Sequence, residues 1–461
     1  MLQVKFFSMD DGRSLAYFPQ TQRFFFVDEE MKALISDMSV KSREEVLRVY
    51  QIREEEYDSY LSFMVRCKPR SQQPETDGQA VGAEKRLPRL VIHLANDCNL
   101  RCIYCYANGG SYRSTQDLMS REMLDRVLEV FFGEYHQIDM VQLFGGEPLM
   151  NLELVEYACD RIRRINAERG TKSKFGLVTN GTLIDDRFLG IVKEYGILVT
   201  VSYDGIPEIN DRLRIFPDGS GTSQRVLKNI RKLRDAVGPG IGIETTYSRF
   251  HKEAGYSVLD VYDRVNEMFP GASIHVAPAG GDCSCSFALQ TVEDFPKAIA
   301  DVADRAVKTP GHPISCHATA QALFESLNEK DQPAQDYFCG AGTATLSVTT
   351  KGDIYPCFML TDLEELRFGN VWDEDVFRTD RFRETLQKII KFSYKYNHSE
   401  CRDCFINTTC NACMGQFFLN TGKLFCLSSK DCERYRRQTE EAVKGLARVQ
   451  EAETVRNDAV S

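Results

Sequence analysis

The feature that most constrains this chain is a run of three cysteines, Cys98, Cys102 and Cys105, in the stretch His93-Leu-Ala-Asn-Asp-Cys-Asn-Leu-Arg-Cys-Ile-Tyr-Cys-Tyr106. The spacing is C-x3-C-x2-C and it follows the apolar run Leu90-Val91-Ile92, so three thiols share one tight loop after a strand. Three thiolates can bind three irons of a cubane iron–sulfur cluster and leave the fourth open to a substrate or cofactor. Soft sulfur ligands select iron or zinc over calcium or magnesium. A zinc knuckle short of its fourth ligand, or a chance grouping in a Cys-rich chain, has the same spacing.

A second segment narrows the choice. Gly145-Gly146-Glu147-Pro148 follows the strand-like Met140 to Phe144, where a double glycine allows close backbone approach and the glutamate offers a carboxylate. Together the two segments resemble radical S-adenosylmethionine (SAM) enzymes, including the aromatic Tyr104 just before the third cysteine. The resemblance implies that Cys98, Cys102 and Cys105 hold a catalytic [4Fe–4S] cluster, and that Tyr104, Gly145, Gly146 and Glu147 belong to the SAM site.

With 461 residues, two or three domains are expected, and 43% hydrophobic content supplies their cores. A net charge of −10 argues against nucleic acid as a partner. No opening run reads as a signal peptide, and no segment approaches the roughly 18 apolar residues of a membrane span. Sixteen cysteines without a secretory signal read as metal ligands in a reducing cytoplasm rather than disulfides, in an anaerobic or micro-aerobic cell.

Three regions follow along the chain. Residues 1–67 carry strand-like Val4 to Phe7 and Arg23 to Val27. Helices are then expected from near Asp28, after the capping box Ser42 to Glu45, and over Glu54 to Met64. This independent module is similar to the small winged-helix-like elements fused to enzymes that modify ribosomal peptides, and it would take a leader peptide as an added strand. A capping or dimerisation domain is the plainer alternative. Residues 68–87 form a polar linker. Residues 88–310 alternate strand and helix six times, which matches the α/β partial (β/α)6 TIM-like barrel of the radical SAM fold, with ligands beyond the strand ends. Asn180, Ser202 and Asp204 lie at such ends and Glu244 within the fifth strand, so they join the expected SAM site, although Asn-Gly and Asp-Gly are also ordinary turn pairs. His93, His251 and His275 read as structural or gating residues and stay outside it.

Residues 311–435 resume the sulfur chemistry. A hairpin brings Cys339 and Cys357 together, and Cys401, Cys404, Cys410, Cys413, Cys426 and Cys432 follow. The pattern resembles the SPASM extension of radical SAM peptide-modifying enzymes, and it implies two auxiliary [4Fe–4S] clusters, three in all. One would take Cys339, Cys357 and Cys413, with a fourth ligand from Cys316, Cys283 or Cys285, or an open iron. The other would take Cys401, Cys404, Cys410 and Cys432, the last competing with Cys426. Zinc could use the C-x2-C pairs instead. Cys67 and Cys159 read as spares, and residues 436–461 as a charged helix or frayed tail.

The resemblance implies a peptide maturase served by a flavodoxin- or ferredoxin-type electron donor. A 5′-deoxyadenosyl radical made from SAM would take hydrogen from a precursor peptide, the carbon radical would close a crosslink, and an auxiliary cluster would accept the surplus electron. A Cys thioether is the expected bond, with a carbon–carbon bond (Lys–Trp or aromatic) as alternative. Sulfatase-type formylglycine formation is the enzymatic rival, but there an acidic residue is expected after the hairpin cysteine, where this chain has Phe358. An iron–sulfur electron carrier or a peptide scaffold would be the non-catalytic reading.

Overall fold

The computed structural model describes residues 3–65, 85–281, 284–309 and 336–460. Cys67, Cys283, Cys316 and most of the expected linker lie outside them.

The amino-terminal sheet has three antiparallel strands, β1 (Lys5–Ser8), β2 (Ser14–Phe18) and β3 (Arg23–Val27), in that order. The middle strand, which pattern reading did not single out, is buried at every position. Strand alternation explains why. Ala16 and Phe18 face the helices Glu29–Val40, Arg43–Tyr50 and Glu54–Val65, in a small core with Val27, Leu34, Ile35 and Val46. Leu15 and Tyr17 point the other way, into the main core of the enzyme. The expected independent module is therefore docked rather than free-standing. Asp28 caps its first helix through the Met31 amide (2.7 Å), and Ser42 and Glu45 form the reciprocal box expected of them.

Six parallel strands form the barrel in chain order: β4 (Arg86–Ala95), β5 (Gln137–Gly145), β6 (Lys174–Thr179), β7 (Leu198–Ser202), β8 (Gly242–Tyr247) and β9 (Ser273–Pro278). Between β8 and β9 a short helix, Arg249–Glu253, precedes Val258–Met268, which starts at a capping box formed by Ser257 and Asp260. A short helix, Pro207–Leu213, lies after β7.

The sheet continues past the barrel. β10 (Thr345–Val348) pairs parallel with β4, and β11 (Asp353–Tyr355) and β12 (Gly369–Asn370) follow antiparallel, giving nine strands. The carboxy-terminal cysteines thus hang from a hairpin fused to the barrel's first strand. His93 crosses this seam, its Nε2 2.9 Å from Ser347 Oγ.

Of the two readings of the carboxy-terminal stretch, the charged helix is the one that forms. Residues 436–460 continue the helix Ser429–Val460, which buries Ala442, Val443, Leu446 and Ala447. This helix packs along Asp294–Lys308 and reaches the module through Arg13, whose guanidinium donates to Glu451 at 2.8 Å. Among the described residues no helix is long and apolar enough to cross a membrane.

Candidate functional site

The loop leaving β4 is stitched at several points. Asn96 donates through Nδ2 to the carbonyls of Ser111 (2.9 Å) and Thr115 (2.8 Å), closing the loop on itself. The amides of Arg101 and Ile103 donate to the Ile215 and Leu213 carbonyls (2.8 and 2.9 Å). Gly146 and Glu147 donate their amides to Ala95 and Asp97 (2.9 and 2.8 Å), which seats the loop on the end of β5. A β-carbon at Gly146 would stand 2.2 Å from the Asp97 carbonyl oxygen, and one at Gly110 (φ +90°) would stand 2.8 Å from Cys98 Cβ. What the glycines admit is thus the cysteine loop itself.

Glu147 is fully buried and accepts from Thr179 Oγ1 (2.7 Å), the Asn180 amide (2.7 Å) and the Leu149 amide (3.0 Å). Burial pushes its carboxyl up to about 7 despite these donors. Its carboxylate is committed to joining β5 to β6. Asn180 continues the brace, donating to Asn99 Oδ1 (2.9 Å) and lying 3.7 Å from Cys98 Sγ.

A buried polar cluster holds the other side of the loop. Asp204 accepts from the Tyr104 hydroxyl (2.6 Å) and the Thr246 amide (3.0 Å), and pairs with Arg214 at 3.2 Å. Burial alone would lower the Arg214 pKa, but Asp204 and Tyr104 more than offset it, so the guanidinium stays charged. It also stacks over the Tyr104 ring, 5.4 Å from the centroid. His251 Nδ1 accepts from the Ser248 amide (3.1 Å), which leaves Nε2–H to donate to the Asp204 carbonyl (2.8 Å). Tyr104 and Asp204, both expected in the site, are brought together here; Arg214, far from the motifs in sequence, was not foreseen.

Parallel sheets are commonly apolar on both faces. Here Val199, Val201, Ile243 and Ile274 are buried on one face, while Thr200, Ser202, Glu244 and His275 stand on the other and remain partly exposed. That polar, accessible face is where a ligand can meet the sheet. Ser202 pairs in register with Glu244 and Glu244 with His275, whose Nδ1 lies 2.8 Å from the Glu244 carboxylate. That contact raises the His275 pKa.

All described cysteines are free. Burial pushes Cys98 up to about 12 and Cys102 to about 11, and the three thiols of the loop lie within one another's field. The later cysteines fall into two neighbourhoods. Cys357, pushed up to about 12 by burial, also feels Cys413 and Cys339. Cys401, pushed up to about 12 by burial, feels Cys432, Cys410 and Cys404. Cys426 instead turns its Sγ to the Leu427 carbonyl (3.6 Å), and Cys285 lies against Gly281. Cys159 is sealed in the core.

Among the described residues no three His, Cys, Asp or Glu side chains converge on a point as a single metal ion requires. Unpaired, part-buried thiols gathered in threes and fours are the donor set of an iron–sulfur cluster, with each thiolate on a separate iron. Unforeseen neighbours are Met359, whose Sδ lies 3.8 Å from Cys413 Sγ, and Tyr106, which lies within the field of Cys105, Cys357 and Cys413. Buried Lys395 donates through Nζ to the Asn407 carbonyl (2.7 Å) inside the outer group.

Comparison with known proteins agrees with this geometry. The radical SAM superfamily profile matches residues 92–252, and that of the iron–sulfur cluster-binding SPASM domain matches 339–405. A cysteine-type anaerobic sulfatase-maturating enzyme of Clostridium perfringens is 28% identical over 334 residues, 69% of this chain and 86% of that protein. An uncharacterized Methanocaldococcus jannaschii protein is 33% identical, but the match spans only 49% of its length; for the similar enzyme of Clostridium novyi it spans 41%. The solved structure of native anSMEcpe with bound AdoMet and Cp18Cys peptide superposes with a TM-score of 0.64 at 22% identity, covering 80% of this chain and 99% of that one. Streptococcus suis SuiB bound to S-adenosylmethionine superposes with a TM-score of 0.52 at 15% identity, covering 91% and 96%. Both superpositions report the fold.

Proposed function

We propose that this chain, an enzyme carrying a radical SAM domain and a SPASM domain, closes an intramolecular crosslink in a ribosomally made precursor peptide, as a Cys thioether. The observation that carries the reading is the amino-terminal module. The anSMEcpe structure is covered almost whole by 80% of this chain. The module has its own core, and β1 and β3 each keep one edge unpaired among the described residues. An open edge accepts an extended peptide as an added strand, and a leader held there raises the effective concentration of the attached core peptide.

Cys98, Cys102 and Cys105 would hold the catalytic cluster. Ser202, Glu244 and the backbone around Gly145 and Gly146 would face SAM. Cys339, Cys357 and Cys413 would hold the inner auxiliary cluster, and Cys401, Cys404, Cys410 and Cys432 the outer one. When bound, these groups supply a hydrogen-abstracting radical and an electron acceptor, with a flavodoxin or ferredoxin as donor. The chain's own residues position and shield. Glu147 and Asn180 brace the loop from one side, and Asp204 with Arg214 fixes Tyr104 on the other. Phe144 and Phe358, with ring centroids 4.9 Å apart, place an apolar contact between the barrel and the cysteine hairpin, which helps exclude water. The thioether reading rests on the inner group, where three described thiols leave a position for a substrate thiolate.

Formylglycine formation is the second reading, favoured by the sulfatase-maturating relatives. Phe358 stands where that chemistry expects an acid, and the module has no part in it. Mass spectrometry of a candidate precursor peptide, sought among short Cys-rich or aromatic-rich reading frames beside this gene, separates the outcomes. The expected product is two hydrogens lighter, with one fewer alkylatable thiol per bond. Mass loss with every thiol still alkylatable would indicate a carbon–carbon bond, and an aldehyde at a former Cys or Ser would indicate formylglycine.

A further inference from the structure

The outer cysteine group is covered from two directions by groups that the proposed chemistry leaves unused. Lys395 has no exposed surface, and its charge lies within the field of Cys410, Asp336, Cys401 and Cys404. Its Nζ holds the Asn407 carbonyl at 2.7 Å, while Asn407 donates its own amide to Cys404 O (2.9 Å) and its side chain to Cys401 O. The lysine is thereby tied into the backbone between the cysteines.

Tyr17 arrives from the amino-terminal module. It is fully buried in β2, its ring packs edge-on against Phe405 at 6.4 Å, and its hydroxyl has no hydrogen-bond partner among the described residues. Among the described residues, the ionisable group acting on that hydroxyl is Cys404. Phe7 also packs on Phe405 (5.6 Å), and Thr408 Oγ1 donates to the Pro19 carbonyl at 2.8 Å, so the module's sheet is seated on the cysteine loop. An orphaned hydroxyl is costly to bury.

We propose that Lys395 and Tyr17 are positioning residues for the outer cluster, raising its reduction potential. This rests on the reading that Cys401, Cys404, Cys410 and Cys432 bind a cluster. Reduction adds one negative charge and makes or breaks no bond. A buried ammonium and a buried hydroxyl dipole in the field of Cys404 both stabilise that added charge, and net charge and the polarity around the sulfurs are among what sets cluster potentials. The peptide-binding module would then be in direct contact with the electron-accepting end of the enzyme.

The test uses the reconstituted full chain with Cys98, Cys102 and Cys105 changed to Ala, so that only auxiliary clusters remain. Its reduction is titrated at pH 7 and followed by electron paramagnetic resonance. Lys395→Met is expected to shift one of the two midpoints negative by at least tenfold in the reduced-to-oxidised ratio at fixed potential, about 59 mV for a one-electron couple. Tyr17→Phe should shift the same midpoint in the same direction by less. Should Lys395→Met lose iron, Tyr17→Phe, which removes one oxygen, decides alone. Unchanged midpoints with full auxiliary iron would overturn the inference and leave the cluster reading intact. Fewer than the roughly eight irons of two clusters in the parent protein would overturn that reading itself.

Discussion

The first cysteine loop and the outer cysteine group are built in opposite ways. The first occupies eight consecutive positions, 98–105, and its seat is made by nearby glycines, chiefly Gly110 and Gly146, that let backbone meet backbone. The outer group is drawn from Cys401 to Cys432 and closed by residues hundreds of positions away, Tyr17 and Pro19 among them. A local site depends on backbone fit, whereas a dispersed one depends on docking. The two should therefore fail differently when disturbed.

The largest effect is expected from changing Cys98, Cys102 and Cys105 together to Ala. All SAM cleavage should disappear, and iron should fall from about 12 to about 8 per chain, one cluster of four. Iron analysis and chromatography of SAM products check both.

Gly146→Ala should come next. The added carbon meets the Asp97 carbonyl at 2.2 Å and Gly110 Cα at 2.7 Å, neither a flexible side-chain end. A cost of about 3 kcal/mol is expected, the upper end for overpacking. Iron should be lost from the first site alone; equal loss from all sites would erase the distinction between local and dispersed assembly.

Phe405→Ala addresses the docked side. It removes the ring on which Phe7 and Tyr17 pack, at a cost of about 2 kcal/mol for a half-buried aromatic. Hydrogen exchange should rise in β1 and β2 and around Cys401 to Cys410, and stay unchanged around Cys98.

The smallest effect lies beside the inner group. Asp362 follows the Cys357 hairpin with φ +67°, and burial, then Asp353, pushes its carboxyl up to about 6 from 3.8. The folded state thus binds more protons than the unfolded one between those values, and stability falls as pH rises through them. Asp362→Asn removes the charge with a residue tolerant of the left-handed region. Its melting temperature should exceed that of the parent at pH 8, and the difference should vanish below pH 4.

Much of the fold was legible because each strand and cap carries its own signal. Arg23–Val27 forms where the pattern places it, Ser42 and Glu45 make the expected box, and the strand–helix alternation yields the six barrel strands. The first cysteine loop was legible for the same reason. The docking of β2 was not. Its alternation is hidden because both faces are buried, so Ser14 to Phe18 shows no polar side. Arg214 was missed because its meaning depends on Asp204 and Tyr104 arriving from other strand ends. Glu147 was expected at a ligand, but its distance from Thr179 and Asn180 is fixed only by the pairing of β5 with β6.

The central claim, that the loop of Cys98, Cys102 and Cys105 drives hydrogen abstraction from a peptide, is tested most directly by isotope transfer. The reconstituted enzyme is reduced with dithionite and given SAM and a precursor peptide, sought among short Cys-rich or aromatic-rich reading frames beside its gene, deuterated at its carbon-bound positions. Mass spectrometry then reads the 5′-deoxyadenosine formed. The expected result is deuterium in that product together with a peptide lighter by one deuterium and one exchangeable thiol hydrogen per thioether. Unlabelled 5′-deoxyadenosine alongside a peptide of unchanged mass would contradict it.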